Sequence, residues 1–281
     1  MPGHLEIPLA KFFDSEVYME IPLHAFQLDK AQIRVFSTKA NMGEAAAAHA
    51  ASILRDAIAN RGCARIIVAT GPSQDSFIHA LVQAPKVAWN NIEVFHMDEY
   101  VGVGVEHPAS FRRWLKEHVV NHVYPGRVNY LNADVTDLAA ESRRYEHLLQ
   151  SAPLDACFLG FGENGHIAFN EPHLADFNDP LAIKRVSLDD KTRMQQVGEG
   201  HFATFEAVPR EALTITVPAL LASENLVCCV PELRKAEATR NALEGPVSPA
   251  CPASVVRSHQ RAFIFLDLES ASLLSSSVLR S

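Results

Sequence analysis

The sequence has no C-x-x-C pair and no even set of cysteines. Its five are Cys63, Cys157, Cys228, Cys229 and Cys251, and three of them (157, 228 and 229) sit inside apolar runs. That pattern argues against a disulfide framework and predicts buried thiols in a reducing compartment. There is no long Lys/Arg run either, and the net charge is −8. An acidic chain without a basic stripe is a poor partner for nucleic acid or an anionic membrane, although a local basic pocket can still hold a small anion. No stretch reaches the roughly 18 apolar residues of a spanning helix. The opening MPGHLEIPLAKFFDSE lacks the apolar core of a secretory signal. These absences predict a cytoplasmic protein. Low-complexity linkers, internal repeats and composition shifts are also missing. With 48% hydrophobic residues over 281 positions, the chain can bury a sizeable core, and one domain over residues 1–281 is expected.

Short β-branched runs alternate with longer helical patterns. Strands are expected at 31–37, 65–69, 92–97, 155–159, 213–217, 226–230 and 262–266. Several are apolar on both faces, as strands between helix layers are. Helices are expected at 42–61, 74–83, 108–122, 137–150 and 233–244, the first and last closed by Gly62 and Gly245. This alternation predicts an α/β fold with a mostly parallel sheet. Ligands of open α/β sheets sit at the carboxyl ends of the strands, so the loops after residues 69, 97, 159 and 230 are the ones to inspect.

The third of these, GFGENGHIAFNEP (160–172), fits G-x-G-x-x-G with Gly160, Gly162 and Gly165. A dinucleotide fingerprint also needs a helix opening at the third glycine and an acid at the end of the next strand, about 20 residues on. Here Pro172 and Pro180 leave little room for a helix, and Asp189 and Asp190 follow no clear strand. The alternative is a loop whose glycines let the backbone approach a ligand. It carries His166 and Glu171, five residues apart, which suit an acid/base pair. Spacing alone equally admits two side chains that bond the loop backbone.

After strand 92–97 come Asp98 and Glu99. A carboxylate there is placed to take a proton from carbon beside a carbonyl, but the same pair also reads as a charged turn. His118 and His122 are four apart on an expected helix. H-E-x-x-H is absent, however, and a metal is not expected. After strand 65–69 the chain reads Thr70-Gly71-Pro72-Ser73-Gln74 and enters a helix, so small residues expose amides to an anion. The G-K-[ST] ending of a P-loop is missing. Lys235, near the start of the last expected helix, is a candidate countercharge.

Taken together, MDEYVG (97–102), EHPASF (106–111) and GHIAFNEP (165–172), with weaker matches at 70–73 and RKA (234–236), resemble the glucosamine-6-phosphate deaminase family, related to the 6-phosphogluconolactonases. The resemblance spans roughly residues 30–245. It implies a modified doubly wound, Rossmann-like α/β sheet with helices on both faces, and an amino-sugar 6-phosphate as substrate. It implies that His166 helps open the sugar ring, Asp98 moves a proton between C2 and C1, and Glu171 tunes His166. Ketose phosphate and ammonia are the products. Thr70, Gly71, Ser73, Gln74 and Lys235 would hold the phosphate, with Glu99 and Gly162 also at the substrate. No cofactor or metal is implied, and self-association into a homo-oligomer is left open.

The sequence departs from the family in three places. Asn164 stands where the family has Asp before Gly-His, with Glu163 beside it, and a neutral group supports a charged imidazole less. Gly200-His201-Phe202 stands where a phosphate-binding Ser-Arg-Phe is usual, with Arg193 as the candidate substitute. The segment HLADFNDPLAIKR (173–185) replaces a Ser- and Arg-rich stretch that forms an allosteric site in some members, so that site is not expected. Two alternatives follow. Lactone hydrolysis with His166 as general base is disfavoured by Tyr100 and by Phe169-Asn170-Glu171-Pro172. A sugar-phosphate binder without turnover is kept open by Asn164.

Overall fold

A computed structural model describes residues 21–198, 200 and 202–280. The N-terminal stretch read for a signal, and His201, lie outside the described residues. In chain order the elements are β1 (His24–Leu28), β2 (Ala31–Phe36), α1 (Lys39–Arg61), β3 (Ala64–Val68), α2 (Asp75–Val82), β4 (Ile92–His96), β5 (Asp98–Tyr100), α3 (Phe111–Leu115), α4 (Asn121–Val123), β6 (Arg127–Asn129), α5 (Leu138–Gln150), β7 (Ala156–Leu159), β8 (Ile183–Ser187), α6 (Asp190–Gly198), β9 (Glu211–Ile215), α7 (Val217–Leu221), β10 (Asn225–Val230), α8 (Ala236–Glu244) and β11 (Ala262–Asp267).

Eight strands form one sheet in the order β1-β2-β11-β10-β7-β3-β4-β6, and β5-β9-β8 form a small antiparallel sheet. In the large sheet only the β1–β2 pair is antiparallel. From β3 the chain runs outward to β4 and β6, then returns to place β7 on the other side of β3. The strand order therefore reverses between β3 and β7, where Ile66 pairs with Ala156 and Val68 with Phe158. A reversal of this kind opens a crevice at the carboxyl ends.

Strand alternation divides the core between the two faces. Ile66, Val68, Val94 and Phe158 pack with Ala46, Ala50 and Leu54 of α1 and Phe77 of α2. Ile67, Cys157, Leu159 and Cys228 pack on the opposite face with Tyr145 and Leu149 of α5 and Leu243 of α8. Helices thus cover both faces, and Cys157, Cys228 and Cys229 are buried free thiols. The amino edge is stapled by Arg65 and Asp155. Arg65 N–H donates to Asp155 (2.7 Å), and its guanidinium meets Glu93 (2.6 Å) and the carbonyls of Leu148, Leu149 and Ala152.

The expected elements are present with shifted ends, because caps rather than apolar periodicity set them. α1 begins at Lys39, since the Thr38 hydroxyl accepts from Asn41 N–H (3.2 Å). The helix expected at 108–122 begins at Phe111 under the Ser110 cap and loosens into a π turn over Lys116–Val120. The helix expected at 233–244 opens with a 3-10 turn, Leu233–Lys235, so Lys235 sits at its entry. Strands β1, β5, β6 and β8 and helices α6 and α7 were not expected. These elements are short or edge-placed, with one face polar or only three residues of pattern. Asp189 and Asp190 do follow a strand, β8, which corrects the expectation. That strand is antiparallel in the small sheet, and Asp189 accepts from Thr192 N–H (2.7 Å) at the start of α6.

α1 crosses α2 closely at Gly43. A Cβ there would meet the backbone carbon of Ser76 at 2.7 Å and Phe77 N at 2.9 Å. Gly43→Ala is expected to lower stability by about 1–2 kcal/mol despite its better helix propensity, read as a lower denaturation midpoint in urea.

Candidate active site

Four loops meet at the crevice between β3 and β7. Residues 69–74 follow β3, Met97, Asp98 and Tyr100 follow β4, Gly160–Gly162 with His166, Ala168 and Phe169 follow β7, and Arg234 and Lys235 follow β10. These are the loops read from the sequence, brought together by the common direction of the parallel strands. Thr70, Gly71, Ser73, Gln74, Gly162 and Lys235 line the cleft with Asp98 and His166. Phe111 of α3 and Gln196 of α6 complete the wall.

The glycines of the opening loop serve space and turn. A Cβ on Gly162 would approach the His166 ring atoms to 2.3 Å, and one on Gly160 would meet Gln74 Nε2 at 2.7 Å. Gly165 has φ +86 and turns the chain against Cys251. No helix opens there; residues 163–170 form turns, and Asn170 pins them by donating to the carbonyls of Ile167 (2.9 Å) and Ile215 (2.8 Å). The dinucleotide reading therefore has no helix N-terminus to rest on.

Asp98 begins β5 and is 6% exposed. No donor among the described residues reaches its carboxyl group, and the mutually packed rings of Tyr100, Phe111 and Phe169 line the same cleft. Burial, and next the charge of Glu99, push the Asp98 carboxyl well above the usual carboxylate range. His96 fixes the backbone beneath it. Leu131 N–H donates to His96 Nε2 (2.9 Å), so Nδ1 carries the proton and donates to the Asp98 carbonyl (2.9 Å). Burial holds this histidine down at about 3, and it stays neutral.

His166 Nδ1 faces two acceptors, Asn164 Oδ1 (2.8 Å) and Glu171 Oε1 (3.2 Å). The proton therefore belongs on Nδ1, and Nε2 is the nitrogen left for a bound molecule. The Asn164 amide also donates to Glu171 Oε2, and the Thr192 hydroxyl donates to Oε1 (2.7 Å). Burial pushes the Glu171 carboxyl up. The His166 charge and the hydrogen bonds from His166, Thr192 and Asn164 outweigh it and hold the carboxyl at about 2. Asn164 and Glu171 thus stand behind His166 rather than on the cleft wall. Glu163 does not join them; it faces Arg234 (3.4 Å).

Two expected site residues lie elsewhere. Glu99 is fully buried, and its carboxylate accepts from the Ser110 hydroxyl (2.7 Å), from Phe111 and Arg112 N–H and from the Arg112 guanidinium. Arg193 packs its guanidinium over the Phe205 ring (3.9 Å) and donates to the carbonyls of Phe205 and Val208, away from the cleft lining. Gln196, Phe111 and Arg234 were missed. For Arg234 the available signal was its place beside Lys235.

A raised carboxyl pKa means that folding favours the neutral form, so ionised Asp98 costs stability. That cost is absent below the ordinary carboxylate pKa and grows as pH rises through the raised value. Asp98→Asn is expected to match the parent melting temperature near about pH 4 and to exceed it near about pH 8. Equal melting at both would contradict the burial argument.

The family model for glucosamine-6-phosphate isomerases/6-phosphogluconolactonase matches residues 37–265. A glucosamine-6-phosphate deaminase from Streptococcus uberis is 32% identical over 224 residues, covering 79% of this chain and 92% of the relative. Glucosamine-6-phosphate deaminase 1 from Bacillus subtilis is 34% identical over 230 residues, covering 80% and 93%. Among solved structures, a monomeric glucosamine-6-phosphate deaminase superposes with TM-score 0.79 at 30% identity, covering 86% of this chain and 99% of that one. A 6-phosphogluconolactonase from Shewanella baltica superposes with TM-score 0.70 at 20% identity, covering 86% and 99%, and shares the fold. With the model matched over most of its length and deaminase relatives above 30% identity, this chain belongs to the glucosamine-6-phosphate isomerase/6-phosphogluconolactonase family.

Proposed function

We propose that this protein converts an amino-sugar 6-phosphate, glucosamine 6-phosphate or a close relative, to the ketose phosphate and ammonia. The observation that carries the reading is the pairing of chemistries across one cleft. A buried carboxyl group with no donor among the described residues faces the same space as an imidazole whose tautomer is fixed from behind. Relatives at 30–34% identity that bear the deaminase name support the same choice.

In this reading His166 Nε2 takes the C1 hydroxyl proton and returns one to the ring oxygen as the C1–oxygen bond breaks. Asn164 and Glu171 hold Nδ1–H through that exchange. Asp98 then removes the C2 proton and delivers it to C1. Water adds to the resulting C2 iminium, ammonia leaves, and the carbonyl remains at C2. Lys235 and the Thr70–Gln74 turn bind the phosphate. The raised pKa suits Asp98 to a carbon acid, because a base nearer the working pH transfers protons in both directions. Asp98 must be ionised to act, so kcat/KM should fall on acidification through a pKa above the ordinary carboxylate range.

The reading extends to the whole chain. Both sheets contribute to the one cleft, so we read residues 1–281 as one sugar-phosphate domain. Three free thiols buried in strands support a reducing, cytoplasmic setting, and no helix among the described residues is long and apolar enough to cross a membrane.

The test is ammonia release from a panel of hexosamine 6-phosphates, with 6-phosphogluconolactone hydrolysis beside it. Turnover of an amino-sugar phosphate is expected, reduced by about 100-fold or more in Asp98→Asn and in His166→Ala. Lactone hydrolysis without ammonia release, or full activity in Asp98→Asn, would sink the reading.

A further inference from the structure

One of the two cations expected at the phosphate does not line the cleft. A phosphate monoester is a dianion near neutral pH, and the sequence offered Lys235 and Arg193 to meet it. Arg193 is committed to the Phe205 ring and to two backbone carbonyls. The other basic side chain on the cleft wall is Arg234, and its surroundings form a built seat.

Arg234 Nε donates to Glu232 Oε2 (2.6 Å), and Nη1 faces Glu163 Oε1 (3.4 Å). Glu232 Oε1 in turn receives Lys39 Nζ (2.6 Å), and the same Nζ donates to the Pro72 carbonyl (3.0 Å) in the turn after β3. One chain of ion pairs, ended by the Lys39–Pro72 hydrogen bond, thus joins the 70–74 turn, the entry of α1, the 231–235 turn and the loop that carries His166.

Glu232 is held at φ 81, ψ 144, a region that suits glycine and strains any other residue. The strain persists because the Asp267 carboxylate accepts Glu232 N–H (3.0 Å) while both Glu232 oxygens are paired. A glycine would relieve that strain but would leave Arg234 Nε and Lys39 without their shared anion.

We infer that Arg234 is a second phosphate-binding cation of this cleft, oriented by Glu232, with Glu163 holding its Nη1 until the ligand phosphate takes that place. This rests on the amino-sugar phosphate reading above and assigns the countercharge that Arg193 does not supply. It also gives Glu163 a part in binding: phosphate entry exchanges one carboxylate contact for a stronger charge-assisted pair.

The experiment measures inorganic phosphate, glucosamine 6-phosphate and neutral glucosamine binding by calorimetry on the full chain, and steady-state kinetics beside it. Arg234→Gln is expected to weaken phosphate affinity about tenfold and to raise KM by a similar factor with kcat little changed, since one charge-assisted bond is lost from binding. Arg234→Lys should recover part of the loss, and glucosamine binding should not respond. Glu163→Gln should tighten phosphate about threefold, because a competing anion is removed. Phosphate affinity unchanged in Arg234→Gln, or no phosphate binding by the parent protein, would overturn the assignment. Should Arg234→Gln fail to fold, unchanged affinity in Glu163→Gln would overturn it as well. Because phosphate binding is read without turnover, a chain that binds phosphate through Arg234 but releases no ammonia would defeat the deaminase reading alone.

Discussion

The Glu99 carboxylate accepts hydrogen bonds from Tyr100, Phe111 and Arg112 N–H, from the Ser110 hydroxyl and from the Arg112 guanidinium. Much of the cleft depends on it. It satisfies the amides that open α3 and so fixes where Phe111 stands. It holds Arg112, which also ties in Asp134 (2.9 Å) and the Val103 carbonyl (2.7 Å). Its charge adds to burial in keeping its neighbour Asp98 reluctant to ionise. One buried carboxylate thereby fixes the α3 entry beside the cleft and adds, after burial, to the proton affinity of the carboxyl group proposed as the base. His96 supports the same turn from the other side, through the Asp98 carbonyl.

Across the cleft the same economy applies to Asn164. An aspartate at this position would set a second carboxylate against Glu171, whose Oε2 already meets the Asn164 side chain. An amide has an acceptor on one side and a donor on the other. It can therefore orient the imidazole and hold Glu171 without adding charge. Read as a departure from family pattern, Asn164 suggested lost activity. Read in place, it joins His166, the residue it was expected to support less, to Glu171.

The fold was legible because β-branched runs and glycine stops are local signals. The convergence of the four loops was legible because parallel strands must end on one edge. What escaped the sequence was direction. Asp98 and Glu99 are adjacent acids, but a strand turns successive side chains to opposite faces, so one meets the cleft and the other the core. No spacing rule reveals which. Arg193 was plausible by its distance along the chain and lost to Phe205, a partner visible only once α6 is placed. The unexpected strands β1, β5, β6 and β8 pair at edges, where short length or one polar face blurs the apolar pattern that marks β3, β4 and β10.

The two ends of the large sheet carry different burdens. At the amino edge, Arg65, Glu93 and Asp155 close the fold with groups far along the strands from the cleft. At the carboxyl edge the loops hold a buried acid, an imidazole and a strained turn. Selection can therefore act on the two edges separately. Substitutions that change which sugar phosphate is accepted can accumulate in the loops while the opposite edge keeps the chain folded, and lineages of one architecture can drift apart in chemistry without passing through an unfolded ancestor.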